Sequence, residues 1–433
     1  MNEKMKKNSK LRIQDLKFWK TVFLIFLVLS VIILGKTYAK IYIDISSPGL
    51  RKLPIAIQEF SGPHGKEIAE IIKDDLEFTG FFSYIDSIAY IENPAKPFNP
   101  ANWKPLGVDA VLKGAVIEGK EISARASLYD VLEGETVMQK GYTTSSEFIR
   151  LLAHSIANDV YYLLTGEKGV FKTKLIFAGE DNHGKGIYQT DWDGARMHRL
   201  TSGGNAIMSL RWSRDGSKIV YSAERNREWG IYLLDLKKRI EHRIFSSKGI
   251  NIAGDFTHNG EQIIISSSKE GNPELYKIDI RDGKIIKLTS SHGIDVSPSV
   301  SPDGGQIAFV SDRGGTPQIY LMKIDGSGIR RLTFEGSYNT SPSWSPRGDK
   351  IAFSGRSGSN QIFLINPDGT GLTQLTSHGN NEEPSFSPDG RYIAFTSDRD
   401  GKKAVYIMRA NGEAQKKISP PNMKAYCPRW SPY

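Results

Sequence analysis

Between Leu175 and Tyr433 one pattern recurs: an aromatic residue or Val, then Ser-Pro-Asp-Gly, a strand such as KIAFSG, then IY and LT. Its anchors are Trp212, Phe256, Val300, Trp344, Phe386 and Trp430, at intervals of 44, 44, 44, 42 and 44 residues by subtraction. A steady period in the forties with several short strands per unit predicts a β-propeller of four-stranded blades. The strands that follow the turns begin at Leu175, Ile219, Ile263, Ile307, Ile351 and Ile393, which makes six. The first has no anchor segment ahead of it, and the last anchor, Trp430-Ser431-Pro432, has no strand behind it. Pairing these two orphans completes one blade and closes a ring of six, hiding the edges that an open array would expose.

The repeat needs no function to explain it. In Ser301-Pro302-Asp303-Gly304 and Ser387-Pro388-Asp389-Gly390, Pro presets φ at the second turn position and Gly suits the fourth, as in a type I turn between antiparallel strands. Ile307, Phe309, Ile351 and Phe353 alternate with small residues, the pattern of strands packed between neighbouring blades. Asp312-Arg313 and Asp398-Arg399 follow two such strands and read as salt bridges tying loops. Thr257-His258-Asn259-Gly260 and Ser213-Arg214-Asp215-Gly216 have lost the Pro.

The start of the chain is different material. Lys4, Lys6, Lys7, Lys10, Arg12, Lys17 and Lys20 precede an apolar run from Val22 to Leu34, and Thr37-Tyr38-Ala39 resembles a cleavage site. This is the layout of a secretory signal over residues 1–39, with an apolar run short of the roughly 20 residues of a membrane span. No membrane span is expected after cleavage; an uncleaved anchor is the other reading of the same run. These 39 residues hold eight basic and two acidic side chains, +6, so the remainder of the +9 total is +3. That balance, with no basic stripe interleaved with stacking aromatics, argues against nucleic-acid binding. Cys427 is the only cysteine, so no internal disulfide forms and no lipid-attachment Cys follows the apolar run.

Residues 53–166 mix periods. Pro54 to Phe60 reads as a strand, and Ile68, Ile71, Ile72 and Leu76 recur at helical spacing up to Gly80. Beyond a connection holding Pro94, Pro97, Pro100 and Pro105 come three strand-like runs, Ala110 to Ile117, Ile122 to Tyr129 and Thr136 to Thr143. A second helix is predicted to start at a Thr144/Glu147 capping box and to bury Phe148, Leu151, Leu152, Ile156, Val160, Leu163 and Leu164. The fold class expected is thus multidomain: a small N-terminal α/β domain, then a six-bladed all-β propeller over 167–433 closed by the C-terminal strand. No Gly-x-Ser-x-Gly elbow, His-Glu-x-x-His, Cys pair or phosphate loop is present. His154, in the second helix, reads as a partly exposed surface or interface residue. Nothing supports an enzyme, and no cofactor is expected.

Asp75-Leu76-Glu77-Phe78-Thr79-Gly80-Phe81-Phe82, Ala153-His154-Ser155-Ile156-Ala157-Asn158-Asp159, Leu164 to Phe171, the Ser-Pro-Asp-Gly repeats and the terminal Trp430-Ser431-Pro432-Tyr433 together carry a resemblance. From about Ile41 to Tyr433 the chain resembles the TolB family, periplasmic β-propeller proteins of the Tol-Pal system. The resemblance implies a scaffold that binds the peptidoglycan-associated lipoprotein Pal through the propeller and TolA through the N-terminal segment of the mature chain. It also implies a role in outer-membrane integrity and constriction during cell division, with other envelope lipoproteins as further partners and a monomer outside its complexes. The TolA-binding segment corresponds to residues 40–52, where Ile41, Ile43 and Ile45 alternate with Tyr42 and Asp44 as in a strand free to join a partner's sheet. Pairing within its own protein is the other reading, and exchange between the two would make it a switch.

The loop entering each anchor strand and the loop leaving the next strand open on one face of the ring. Five residues ahead of the anchors stand Asn251, Asp295, Asn339 and Asn381. They are either loop formers or a polar ring that binds Pal together with Arg313, Arg356 and Arg399. The rival classes are a propeller hydrolase with a channel-bound calcium ion held by carboxylates and Asn, and a propeller gating a separate peptidase.

Overall fold

The structure, a computed structural model, describes residues 42–43, 51–201 and 206–433. The secretory signal expected over 1–39, and Ile41, Asp44 and Ile45 of the N-terminal segment, lie outside the described residues. Among the described residues no helix is long and apolar enough to cross a membrane.

The α/β region is one mixed sheet backed by two helices. Strand β1 (Leu53–Ile57), helix α1 (Gly65–Thr79) and β2 (Phe82–Tyr84) form a crossover that returns parallel. β3 (Ala110–Glu118), β4 (Ile122–Asp130) and β5 (Thr136–Thr144) form an antiparallel meander, giving the order β2-β1-β3-β4-β5. α1 buries Ile68, Ile71, Ile72 and Leu76 and ends at Gly80, whose φ of 81° an L side chain adopts only at a cost. The second helix, α2, spans Ile149–Thr165 and is preceded by a short 3₁₀ turn, Ser146–Phe148. The Thr144/Glu147 box does not form, because that turn takes up the first residues of the expected helix and α2 begins with no side-chain cap. Phe148 accordingly lies outside the helix and is 41% exposed, while Leu152, Ile156, Val160 and Leu164 are buried as expected.

The Pro-rich connection between β2 and β3 is ordered from within. Trp103, fully enclosed, packs with Ala56, Val108, Val111 and Val131. Beside it the buried Glu92 carboxylate pairs with Lys113 and accepts from the Asn99 amide at 2.8 Å and Asn102 Nδ2 at 3.0 Å. Such a centre substitutes for the regular hydrogen bonding that four prolines deny to the segment.

The remaining described residues form six four-stranded sheets. Their innermost strands are Ala206–Trp212, Asn251–Phe256, Asp295–Val300, Asn339–Trp344, Asn381–Phe386 and Lys424–Trp430. The last lies beside Lys174–Asp181, with Trp430 opposite Leu175, so both chain halves share the first blade. Alternation along the second strand of each blade feeds two cores at once. Ile219 and Tyr221 enter the cluster shared with Ile176 and Ile187, whereas Val220 enters the one shared with Ile263 and Tyr276. Ile351 and Phe353 likewise face one neighbour and Ala352 the other.

The LT and IY motifs follow from the same geometry. Thr333 Oγ1 accepts from the Ile319 amide at 2.9 Å and donates to Gln318 Oε1 at 2.7 Å, while Leu332 joins the core. Thr376, Ile362 and Gln361 repeat this in the next blade. Each inner strand carries a bulge shortly before its anchor, and in five of the six it falls three residues before. At Ser209, Ser297, Ser341, Glu383 and Cys427 it takes φ between 54° and 58°, a left-handed conformation uncommon outside glycine.

The Ser-Pro-Asp-Gly turns all lie at one end of the ring, and the α/β region packs there. Phe78 of α1 sits 5.3 Å in ring-centroid distance from both Trp192 and Tyr392, and Arg409 Nε donates to the Phe78 carbonyl at 2.8 Å. Arg391 and Arg347 approach Glu167 at 3.5 and 3.7 Å. The other end of the ring carries no such cover among the described residues.

Candidate functional site

At the uncovered end, the crossovers from each outer strand to the next inner strand surround the tunnel mouth. The four polar positions singled out from the sequence open these inner strands, and all are buried. Asn339 Nδ2 donates to Gln318 Oε1 at 2.7 Å and to the Glu335 carbonyl at 2.8 Å. Asn381 repeats this with Gln361 Oε1 and the His378 carbonyl, and Asn251 with the carbonyls of Trp229 and Ser247. These side chains pin each crossover to the preceding blade, which leaves them few donors for a partner.

The three arginines divide. Arg313 donates to Asp295 at 2.6 Å and lies over Phe309 and Tyr320; Arg399 donates to Asn381 Oδ1 at 2.9 Å and lies over Tyr406. Both are blade struts. Arg356 is exposed and stacks on Tyr338, its guanidinium 4.7 Å from the ring centroid. The expected Asp312–Arg313 and Asp398–Arg399 pairs do not form within each dipeptide. Asp312 instead accepts from the Ile294 amide at 2.6 Å, Asp398 from the Asn380 amide at 2.7 Å, and each tethers its loop by that route. Gly293 permits the first: a Cβ there would fall 2.3 Å from Asp312 Oδ1.

One residue ahead of the polar positions the mouth is apolar. Ile250, Ile294 and Tyr338, at intervals of 44 residues, are 46%, 43% and 37% exposed, and Phe334 on the same crossover as Tyr338 is 73% exposed. Asn380 and Lys424 take the equivalent place in the next two blades. The sequence reading missed this half-ring, because an apolar residue beside a strand start reads as core. The signal was its repetition at the blade period just before a crossover's end.

One blade departs from the amide pairing. Where Gln318 meets Asn339 and Gln361 meets Asn381, the corresponding side chains are Glu274 and Asp295, two buried carboxyls in contact. Burial, reinforced by Asp295, raises the Glu274 pKa against the opposing bonds from Thr289 and the Ser291 amide. A carboxyl whose pKa rises on folding holds more proton in the native than in the unfolded state. Its contribution is therefore full below the unfolded value and declines as pH rises through the folded one. Glu274→Gln, which places the glutamine of the neighbouring blades opposite Asp295 and removes the titrating carboxyl, is expected to remove this decline and to stabilise the protein at pH 8 by about 1 kcal/mol. Urea unfolding of both proteins from pH 4 to 8 checks it; parallel profiles would contradict the raised pKa of Glu274.

At the covered end, His154 is 1% exposed, not partly exposed as the sequence suggested: helical spacing could not reveal that a second domain packs over it. Its Nδ1 lies 2.7 Å from Asp75 of α1 and its Nε2 3.7 Å from Asp193 of the propeller, which also pairs with Arg150. His154, Asp191 and Asp193 have the proximity of a metal-ligand group. However, Lys174 and Arg196 already hold Asp191 and Arg150 holds Asp193, so the donors are spent on cations of the chain itself. Calcium in the tunnel fits no better, since it takes six to eight oxygen ligands and the wall sets Arg211 and Arg429 beside Asp255.

In the N-terminal segment Tyr42 is exposed. Ile43 is buried, and its amide donates to the Leu164 carbonyl at the end of α2 at 2.7 Å.

A family model described as TolB beta propeller domain matches residues 161–433, and one described as TolB amino-terminal domain matches residues 41–137. The solved structure of TolB from Acinetobacter baumannii is similar over 90% of this chain and 100% of that one, with a TM-score of 0.81 and 26% identity. Among curated relatives, the Tol-Pal system protein TolB of Dechloromonas aromatica is 32% identical over 200 residues, 45% of this chain and 46% of that protein. That of a Polaromonas species is 31% identical over 189 residues, 43% and 44%. In these matches the chain spans less than half the length of the curated relatives. A nidogen/laminin complex structure, 12% identical with a TM-score of 0.51 over 60% of this chain, shares the fold alone.

Proposed function

The chain belongs to the TolB family, and from that premise we propose that it is a periplasmic scaffold of the Tol-Pal system that catalyses no reaction. The observation that carries the reading is the tunnel mouth. Ile250, Ile294, Tyr338 and Phe334 form an apolar patch on the uncovered end, beside the exposed Arg356 guanidinium. An apolar centre rimmed by donors is how a protein partner is bound, and Pal is the partner proposed for it. The buried Asn251, Asp295, Asn339 and Asn381, with Arg313 and Arg399, shape the loops that present this patch, and Arg356 contacts the partner directly.

Residues 40–52 are proposed as the segment that engages TolA, with 53–166 the domain carrying it and 167–433 the propeller. Support comes from Ile43, whose amide donates to the Leu164 carbonyl in the last turn of α2, a backbone contact of the kind that a partner's sheet edge can replace. Through these two attachments the protein would act in outer-membrane integrity and constriction of the dividing cell.

Replacing Ile294 and Tyr338 together by Asp is expected to weaken Pal binding at least ~100-fold, since burying two such side chains contributes on the order of 3 kcal/mol. The melting temperature should stay within about 2 °C. Titration calorimetry against purified Pal checks this, and unchanged affinity would remove the mouth as the site. Deleting Lys40 to Pro48 should abolish TolA capture while leaving Pal capture intact.

A further inference from the structure

The tunnel contains a charged chamber that neither attachment uses. Near the Ser-Pro-Asp-Gly end it holds a cavity of about 340 Å³. The residue preceding each anchor lines it: Arg211, Asp255, Ser299, Ser343, Ser385 and Arg429. The two arginines come from adjacent blades and are enclosed, the Arg211 side chain 11% exposed and Arg429 9%. Their hydrogen bonds go to carbonyls: Arg211 Nη1 to Leu210 at 2.8 Å, Arg429 Nη1 to Pro428 at 2.6 Å and to Glu383 at 3.3 Å.

Two carboxylates stand near, and neither neutralises the pair at hydrogen-bond distance. Asp255 approaches Arg211 Nε only to 3.8 Å and takes the Val300 amide at 3.1 Å. The Glu383 carboxylate is spent on the Cys427 amide, the Cys427 thiol and the Thr396 hydroxyl. Burial first, and Arg429 second, lower the Arg211 pKa to about 10. Enclosed guanidiniums with unused fork donors, faced by serine hydroxyls, match the planar geometry of an oxyanion.

We infer that the tunnel holds a binding site for a compact oxyanion, a carboxylate or a phosphate, bridged between Arg211 and Arg429 and completed by the hydroxyls of Ser343 and Ser385. Binding there would offset the repulsion between the two arginines, so occupancy stabilises the ring where its first and second blades meet.

The test is calorimetric melting of the full mature chain with inorganic phosphate, with citrate or with calcium chloride, each against sodium chloride at matched ionic strength. Phosphate, citrate or both should raise the melting temperature by about 2 °C or more, and which one acts identifies the ligand's class. Arg429→Lys, which keeps the charge and loses the fork, should forfeit most of that rise, whereas Arg281→Gln on the outer surface should keep it. Arg211→Lys serves as the second variant if Arg429→Lys does not fold. No rise with either anion, a rise that Arg429→Lys and Arg211→Lys retain in full, or a rise with calcium alone would overturn the assignment.

Discussion

Removing Trp430 to Tyr433 is expected to leave little folded propeller. Trp430 is 5% exposed and opposite Leu175; its Nε1 donates to Thr173 Oγ1 at 2.8 Å, and its ring lies 6.1 Å from that of Tyr392. Ser431 adds reciprocal bonds, its amide to the Lys174 carbonyl at 2.8 Å and its Oγ from the Lys174 amide at 2.9 Å. These contacts join the end of the chain to residues some two and a half hundred positions earlier, as the 257-residue separation of Lys174 and Ser431 records. Trp430→Ala alone should cost about 3–5 kcal/mol and lower the melting temperature by about 10 °C. Tyr433→Ala, at a residue 56% exposed, should cost under about 1 kcal/mol. Thermal unfolding followed by circular dichroism, with soluble yield for the truncation, measures all three. A truncated protein melting at the wild-type temperature would mean the ring closes by other means.

Glu92→Ala should be nearly as severe and local to the α/β region. The substitution leaves Lys113, 5% exposed, with a charge balanced only by the Lys96 carbonyl at 2.9 Å, and also strands the Asn99 and Asn102 donors. Breaking one side of a buried pair costs about 3–5 kcal/mol, whereas replacing both sides by apolar residues costs far less. Glu92→Leu with Lys113→Met should therefore recover part of the loss. Urea unfolding, with limited proteolysis at residues 93–106 as the local readout, separates these outcomes, and a Glu92→Ala protein as resistant as wild type would refute them. Burial pushes the Glu92 carboxyl up, but Lys113, Asn102 and the Asn99 amide together hold it below the ordinary range. A carboxyl depressed in the folded state stabilises above its unfolded value, and that contribution is lost as pH falls through the folded one. The region should thus weaken in acid, opposite in direction to the Glu274 effect.

The ring was legible because its cause is periodic. Anchor, turn and strand recur with the blade, and the unmatched pieces at Leu175 and Trp430 could be joined on paper. What periodicity cannot report is which side chains two separate periods bring together. His154 looked like one face of a helix and proved to be enclosed against Asp193, some forty residues on and in the other domain. Asn251, Asn339 and Asn381 carry the same composition whether they shape a turn or greet a partner, and only the carbonyls around them tell the two apart. The capping box failed for a local reason, since a 3₁₀ turn competes for the same residues. Arg211 and Arg429 are ordinary charges in the chain and become a pair only when anchors 218 residues apart, by subtraction, meet across the closure.

Each inner strand starts at the apolar mouth and finishes at the Ser-Pro-Asp-Gly end, beneath the helices, so it runs the length of the tunnel. Tension applied between something seated in the mouth and something gripping the α/β region is then directed along these strands. Their rungs to the second strands are loaded together in shear, with none peeled singly from an end, and this is the direction in which a sheet resists force best.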